Sequence, residues 1–229
     1  YFNTVAAFLE NLLFLMHVTA GQPARSTEIA VCHVVNSDQG HHRNLFVEQG
    51  LISFVTYYHK NFSAGDRVKL IYRYLSLEIS EILMYYLWFV LPWIQTLQSM
   101  SQQQSDISAA LFLNLADKKW DTAHISRILK REFLKGLGKG FGVQIYREIA
   151  IAMSEKYLKP AHAFKDDDVS RNADADAADD DDHILDLQAA HSSHTAETFY
   201  ARKIMQQTGD IKFKRVKFRQ SSEAWHVLL

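Results

Sequence analysis

The chain has 229 residues, of which 48% are hydrophobic and 22% charged, which suits a globular protein with a packed core. Three prolines and nine glycines exclude collagen-like and proline-rich classes. The single cysteine, Cys32, excludes an internal disulfide framework and a cysteine-rich zinc site, and it favours a reducing compartment. No signal peptide is visible, and the chain begins at Tyr1 within an apolar stretch, so we expect a fragment or an excised domain.

Charge is unevenly distributed along the chain, although the net charge is only −1. Residues 165–186 contain ten aspartates and two basic residues, Lys165 and Arg171. The rest of the chain has 23 basic and 16 acidic residues, a net charge of about +7, which favours a nucleic-acid partner. Because 165–183 is rich in aspartate and lacks hydrophobic periodicity, we expect it to be a disordered acidic insert. The insert does not fit an EF-hand calcium loop, because the required glycine and terminal glutamate are missing.

Hydrophobic spacing predicts a fold that is mainly α-helical with a small antiparallel β-sheet. Apolar residues at three- and four-residue steps predict helices over 3–17, 77–98, 122–135, 143–158 and 195–207, with a short helix beginning near Pro23. Residues rich in β-branched and aromatic side chains predict strands within 45–58, with a turn at 48–50, and a third strand over 68–74. The polar loop 59–66 would join the last two strands and present Lys60.

The helix predicted over 77–98 is the most apolar segment of the chain. Its uncharged run from Ile82 to Leu97 is shorter than the roughly 20 residues that span a bilayer, and Pro92 interrupts it. We therefore expect a buried helix rather than a membrane span, with the aromatic residues of 84–93 in the core.

The glycine-rich segment 136–142 follows a helix with a basic face. Four glycines near Lys139 could suggest a phosphate-binding loop. The P-loop pattern is absent and no strand precedes the segment, so we interpret it as a flexible hinge.

Three short motifs are informative as a set. They are Arg25-x-x-Glu28-Ile29 at a helix start, Gln144-x-x-Arg147 inside a later helix, and His191-Ser-Ser with Tyr200 nine positions further on. With Lys60 between two predicted strands, their order resembles the catalytic domain of the tyrosine recombinases, the phage-integrase type of DNA strand-exchange enzymes. The likeness is closest to the diverged eukaryotic Crypton-like members. It covers residues 1–207 as one catalytic domain and leaves 208–229 as a basic C-terminal tail.

The resemblance implies a role for each residue of the set. Arg25 and Arg147 would bind the nonbridging oxygens of a five-coordinate phosphorus, with His191 as a further donor. Tyr200 would attack the phosphorus and form a 3′-phosphotyrosyl intermediate. Lys60 would protonate the departing 5′-oxygen as general acid, and Lys69 is a second candidate for that role. The resemblance implies no metal or cofactor, and His191 with His194 alone makes a weak zinc motif.

The chain departs from the family pattern in three places. Gln144 stands where a histidine is usual, Ala190 replaces the glycine before His191, and the acidic insert lies between Arg147 and His191. Glutamine donates hydrogen bonds but cannot act as a general base near neutral pH. The family's core-binding domain, which helps to clamp DNA, is absent from this sequence.

The expected function is DNA breaking and rejoining in site-specific recombination and DNA integration. The expected partners are double-stranded DNA and further copies of the chain, without a membrane, and the eukaryote-like resemblance implies a nuclear location. One alternative is a catalytically degenerate DNA-binding module of a larger mobile-element or helicase-linked protein. A second is nicking and relaxation in the manner of type IB topoisomerases, and a third is an unrelated helical interaction domain that binds through the acidic insert.

Overall fold

The structure is a computed structural model that describes residues 1–36, 42–58, 69–102, 110–112, 120–158, 184–189 and 209–229. In these ranges it is mainly helical with one three-stranded antiparallel sheet, which confirms the predicted fold class. The acidic insert, the loop 59–66 and the helix predicted over 195–207 lie outside the described residues.

The sheet is a meander of β1 (Leu45–Glu48), β2 (Leu51–Tyr58) and β3 (Lys69–Tyr74). Its first turn has a positive φ at Gln49 (48°) and at Gly50 (83°), as a two-residue type I′ hairpin requires. β3 pairs with β2 in a register that places Tyr74 opposite Ser53. The strands and the turn predicted from the sequence are therefore confirmed.

The helices surround the hydrophobic core. They are α1 (Phe2–Thr19), α2 (Ser26–Ile29), α3 (Leu77–Tyr85), α4 (Leu91–Gln102), α5 (Thr122–Leu137), α6 (Val143–Met153), α7 (residues 184–188) and α8 (Gly209–Leu228). α1 packs against α3, α5 and α8, and it buries Leu12, Leu13 and Met16 almost completely. The helices predicted over 3–17, 122–135 and 143–158 are confirmed, and the last of them ends in a π-helical turn, Ser154–Leu158.

The segment predicted as one helix over 77–98 consists of α3, a π-helical turn at Tyr86–Val90, and α4. Pro92 has no N–H to donate to the carbonyl four residues earlier, and a local widening of the helix accommodates that loss. Leu83 and Tyr86 are buried, but four aromatic side chains are more than half exposed: Tyr85, Trp88, Phe89 and Trp93. The prediction that the aromatic residues of 84–93 lie in the core is wrong for these four.

Two helices are long and apolar enough to cross a membrane by length and composition alone. They are Phe2–Thr19, with a mean hydropathy of 1.2, and Leu77–Met100, with 1.3. In each, 28% of the window is buried inside the structure. Core helices of soluble proteins pass the same test, so this finding carries no membrane assignment.

The glycine-rich segment joins α5 to α6 in a short connection, and its residues 136–140 are exposed. Gly138 ends α5 in the left-handed conformation, with φ of 68°, and Gly142 begins α6 as its N-cap. A Cβ atom added at Gly142 would lie 2.7 Å from Ser126 Oγ, so a larger residue here would require the Ser126 side chain to move. The connection thereby fixes where the first turn of α6 begins.

The segment expected to be a basic tail is α8, which packs against β3 and α1. Phe218 and Trp225, seven residues apart on one helix face, are 0% and 1% exposed. Trp225 donates from Nε1 to the Val18 carbonyl oxygen at 2.9 Å, and Ser222 donates to the Ala20 carbonyl oxygen at 2.9 Å. The helix is therefore an integral part of the fold.

Phe218→Ala tests this docking against a matched change on the same helix. We expect it to lower the free energy of unfolding by about 3–5 kcal/mol, because it leaves a cavity against Tyr72. Phe213 is 56% exposed, and Phe213→Ala should cost less than about 1 kcal/mol. Urea unfolding followed by circular dichroism measures both, and equal losses would contradict the packed position of α8.

Candidate active site

A cleft of about 520 Å³ opens between the start of α2 and the first turns of α6. Arg25, Gln144 and Arg147, three of the predicted site residues, line it together, although Arg25 and Gln144 lie far apart in the sequence. The remaining lining residues are Ser26, Thr27, Thr122, Val143, Glu148 and Ile151. The lining therefore combines two guanidinium groups with hydroxyl groups and one carboxylate.

Arg25 is the N-cap residue of α2, and its side chain is 40% exposed at the cleft. Its backbone N–H donates to Glu28 Oε2 at 3.1 Å, so the Glu28 carboxylate caps the first turn of α2. The Arg25 Nε lies 3.9 Å from Glu28 Oε1. Glu28 is buried, so the helix start that carries Arg25 is anchored to the interior.

Gln144 and Arg147 lie three residues apart on α6 and therefore share one face of the helix. Gln144 is exposed, and its Nε2 donates to Glu148 Oε1 at 3.5 Å. Arg147 is half-buried beside Tyr146 and donates from Nε to the Pro23 carbonyl oxygen at 3.3 Å and from Nη2 to the Ala189 carbonyl oxygen at 2.5 Å. Arg147 therefore binds two main-chain carbonyl oxygens and also lines the cleft.

A further arginine, Arg73 on β3, lies beneath the site and was not singled out from the sequence. It is 1% exposed. Its Nε donates to the Gln22 carbonyl oxygen at 2.8 Å, its Nη1 to Thr56 Oγ1 at 2.7 Å and its Nη2 to the Gln188 carbonyl oxygen at 2.5 Å. Glu28 Oε2 lies 3.6 Å from Nη2 and supplies the counter-charge. Strand alternation puts Arg73 on the same face as buried Ile71, which is the signal that could have identified it.

Arg73 and Arg147 together form what we call the two-arginine clamp. Arg73 binds the carbonyl oxygens of Gln22 and Gln188, and Arg147 binds those of the next residue in each segment, Pro23 and Ala189. The Gln22 N–H also donates to Gln188 Oε1 at 2.9 Å. The clamp therefore joins the chain leading into Arg25 to the chain two residues before His191.

The remaining predicted site residues are Lys60, His191 and Tyr200. All three lie outside the described residues, as do Ala190 and His194. Lys69, the second candidate for the acid role, is the first residue of β3. The structure thus brings together Arg25, Gln144 and Arg147 and does not describe the other three.

Charges in the clamp alter the titration of neighbouring groups. Burial lowers the pKa of Arg73 to about 10, with Arg147 acting in the same direction and Glu28 opposing, so the guanidinium stays charged at neutral pH.

Burial, together with the charges of Arg73 and Arg147, lowers the pKa of His17 to about 3. Neither ring nitrogen of His17 has a hydrogen-bond partner within the described part of the chain. His17 is therefore a neutral imidazole buried close to two cations.

No protein-family model matches the chain, and no solved structure matches it.

His17 should make the protein less stable in mild acid. Its pKa is about 3 when folded and about 6.5 when unfolded, so between these values the unfolded chain binds the extra proton. The contribution of neutral His17 to the free energy of unfolding is fully present above pH 6.5. It decreases as the pH falls, and about 2 kcal/mol of it is lost at pH 5. Between pH 7.5 and pH 5, the free energy of unfolding of His17→Leu should therefore fall by about 2 kcal/mol less than that of wild type, as measured by urea unfolding at both pH values. Equal losses in wild type and variant would contradict the neutral, buried imidazole.

Proposed function

We propose that the chain breaks and rejoins duplex DNA through a covalent phosphotyrosyl intermediate, on a tyrosine-recombinase catalytic fold. The observation that supports this best is the cleft, where Arg25 and Arg147, more than a hundred residues apart in the sequence, meet beside Gln144. The motif order quoted from the sequence carries the rest of the proposal.

The arginine pair suits phosphodiester cleavage on chemical grounds. Negative charge builds on the nonbridging oxygens as the phosphorus becomes five-coordinate. A guanidinium offers planar, paired N–H donors that match two such oxygens and remains charged at any physiological pH. Donors already held in place need no reorganisation as that charge develops, which is how such groups accelerate reactions. Arg25 enters from a helix start and Arg147 from the side of another helix, so they approach a bound phosphate from two directions.

In the proposed reaction Tyr200 and Lys60 handle the covalent step. The Tyr200 phenol releases its proton to solvent water and its oxygen bonds to phosphorus, while the bond from phosphorus to the 5′-oxygen breaks. Lys60 transfers a proton to that oxygen, which leaves as a 5′-hydroxyl. Attack by a 5′-hydroxyl on the phosphotyrosine reverses the step and rejoins the strand. The ester linkage conserves the bond energy throughout.

The proposal extends to partners and location. The substrate is duplex DNA, consistent with the basic balance of the chain outside the acidic insert. Site-specific recombination brings several copies of the chain together on DNA, and the eukaryote-like resemblance places this activity in the nucleus. The covalent intermediate is the part of this proposal that can be trapped directly.

A trapping assay tests the proposed activity. The protein is incubated with nicked suicide duplexes or duplexes carrying a 5′-bridging phosphorothiolate, and the adduct is measured on a denaturing gel. Tyr200→Phe should abolish the adduct, and Arg25→Ala should slow its formation by about 10²–10³-fold, because one charge-stabilising donor is lost. Because the Arg25 side chain is 40% exposed, the fold should lose less than about 1 kcal/mol.

Arg131→Ala is the matched control for that assay. Arg131 is 43% exposed on α5, pairs with Glu10 at 2.6 Å and does not line the cleft. Its substitution should leave the adduct rate within about twofold. An adduct that persists in Tyr200→Phe, or equal effects of Arg25→Ala and Arg131→Ala, would refute the assigned roles.

A second candidate is a catalytically degenerate DNA-binding module, which one observation favours. Gln144 occupies the position where the family has a histidine, faces the cleft and contacts Glu148 rather than a proton donor or acceptor of the reaction. An amide cannot exchange a proton with Tyr200 or with the phosphate near neutral pH. Such a module would bind duplex DNA through the same arginines and form no adduct.

Gln144→His separates the two candidates. If the chain is an active enzyme that lacks one proton-transfer group, the substitution should raise the adduct rate by about 10–10²-fold near pH 7. The gain should decrease at acidic pH as the new imidazole protonates, so a rate–pH profile is the measurement. Gln144→Asn, which supplies no titrating group, should show no gain. No adduct in either wild type or Gln144→His, with duplex binding intact, favours the binding module.

A further inference from the structure

We propose that Arg73 is a positioning residue for the site, because its guanidinium holds the chain entering Arg25 and the chain leading to His191 at a fixed separation. This inference rests on the proposed function for its catalytic consequence. The structural part of the inference concerns the main chain at Gln22 and Gln188, and it does not depend on the proposed function.

The contacts of Arg73 reach each segment of the site. One nitrogen binds the Gln22 carbonyl oxygen, three residues before Arg25, and another binds the Gln188 carbonyl oxygen, three residues before His191. The same guanidinium lies 3.6 Å from Glu28, whose carboxylate also accepts from the Arg25 backbone N–H. A displacement of Arg73 would therefore move the supports of both segments together.

An arginine is required here because of the geometry of its donors. Three nitrogens of one planar group point to three acceptors on β2, on the loop before α2 and on α7. Lysine would retain the charge opposite Glu28, but its single ammonium cannot reach all three acceptors from one position. Arg73→Lys therefore alters positions while keeping the buried charge compensated, which makes it a better probe than removal of the charge.

The segment held by Arg73 has other anchors, so the lysine variant should fold. The Gln188 side chain donates to the Tyr72 carbonyl oxygen at 3.1 Å and to Ser222 Oγ at 3.0 Å, and it accepts from Ser221 Oγ at 3.0 Å. Arg147 still binds the Ala189 carbonyl oxygen. Loss of one Arg73 contact then shifts α7 without detaching it.

The experiment measures three quantities separately: the surroundings of His191, the affinity for duplex DNA and the rate of adduct formation. The imidazole signals of His191 are followed by NMR in protein with isotope-labelled histidine, and they are assigned by their absence in His191→Asn. The dissociation constant for a nicked duplex and the rate of adduct formation are measured on the same samples. Leu83→Val, a change at a buried core residue of α3, is the control, and temperatures are chosen at which both variants are fully folded.

We expect Arg73→Lys to shift the His191 signals, to lower the adduct rate at least about tenfold and to keep the duplex dissociation constant within about twofold. Leu83→Val should change none of the three. Equal His191 signals in wild type and Arg73→Lys, or equal shifts in Arg73→Lys and Leu83→Val, would overturn the proposal. If wild type forms no adduct, the proposed activity fails and the NMR comparison alone decides. Should Arg73→Lys not fold, Thr56→Val removes one acceptor of Arg73 and is subject to the same criteria.

Discussion

The ion pair between Arg73 and Glu28 is buried beneath the cleft, and the surrounding segments are arranged to compensate it. A buried guanidinium is strongly destabilising unless a counter-charge and hydrogen-bond acceptors surround it. The chain provides these acceptors from distant parts of the sequence, namely a strand hydroxyl, a main-chain carbonyl of the loop before α2 and a main-chain carbonyl of α7. The sheet, the start of α2 and α7 are thereby held in one arrangement. Arg147 repeats the same type of contact one residue further along both segments.

This arrangement explains why the cleft lies where it does. Gly142 begins α6 as its N-cap, and the Glu28 carboxylate accepts from the Arg25 N–H at the start of α2. The clamp then holds the loop that leads into α2 against the end of α7. α8 completes the support, because its serines bind the Gln188 side chain and its aromatic residues fill the core against β3 and α1. The cleft is thus built on helix ends whose positions are determined by buried polar contacts.

Local features of the fold could be predicted from the sequence, and features that depend on distant contacts could not. Helical spacing and strand alternation act over a few residues, and they predicted α1, α5, α6 and the sheet. The motif order predicted that Arg25 and Arg147 would act together, and both line the cleft. Arg73 was missed because its role depends on two segments that are distant in sequence. α8 was taken for a tail because its many basic residues outweighed the spacing of Phe218 and Trp225. The exposed aromatic residues of 85–93 were misplaced because a uniformly apolar helix does not reveal which face is covered.

The double use of Arg147 has an evolutionary consequence. Because its guanidinium ties two segments together as well as lining the cleft, replacing it carries a cost in folding that is independent of any reaction. Gln144 lies one turn earlier on the same helix. It is exposed and its side chain donates to the nearby Glu148, so a substitution there costs little folding free energy. Selection for a stable protein would therefore preserve arginine at 147 whatever the reaction, while position 144 could vary. Arginine at position 147 is therefore evidence of how the loop before α2 packs on the end of α7, and it is not by itself evidence of a reaction.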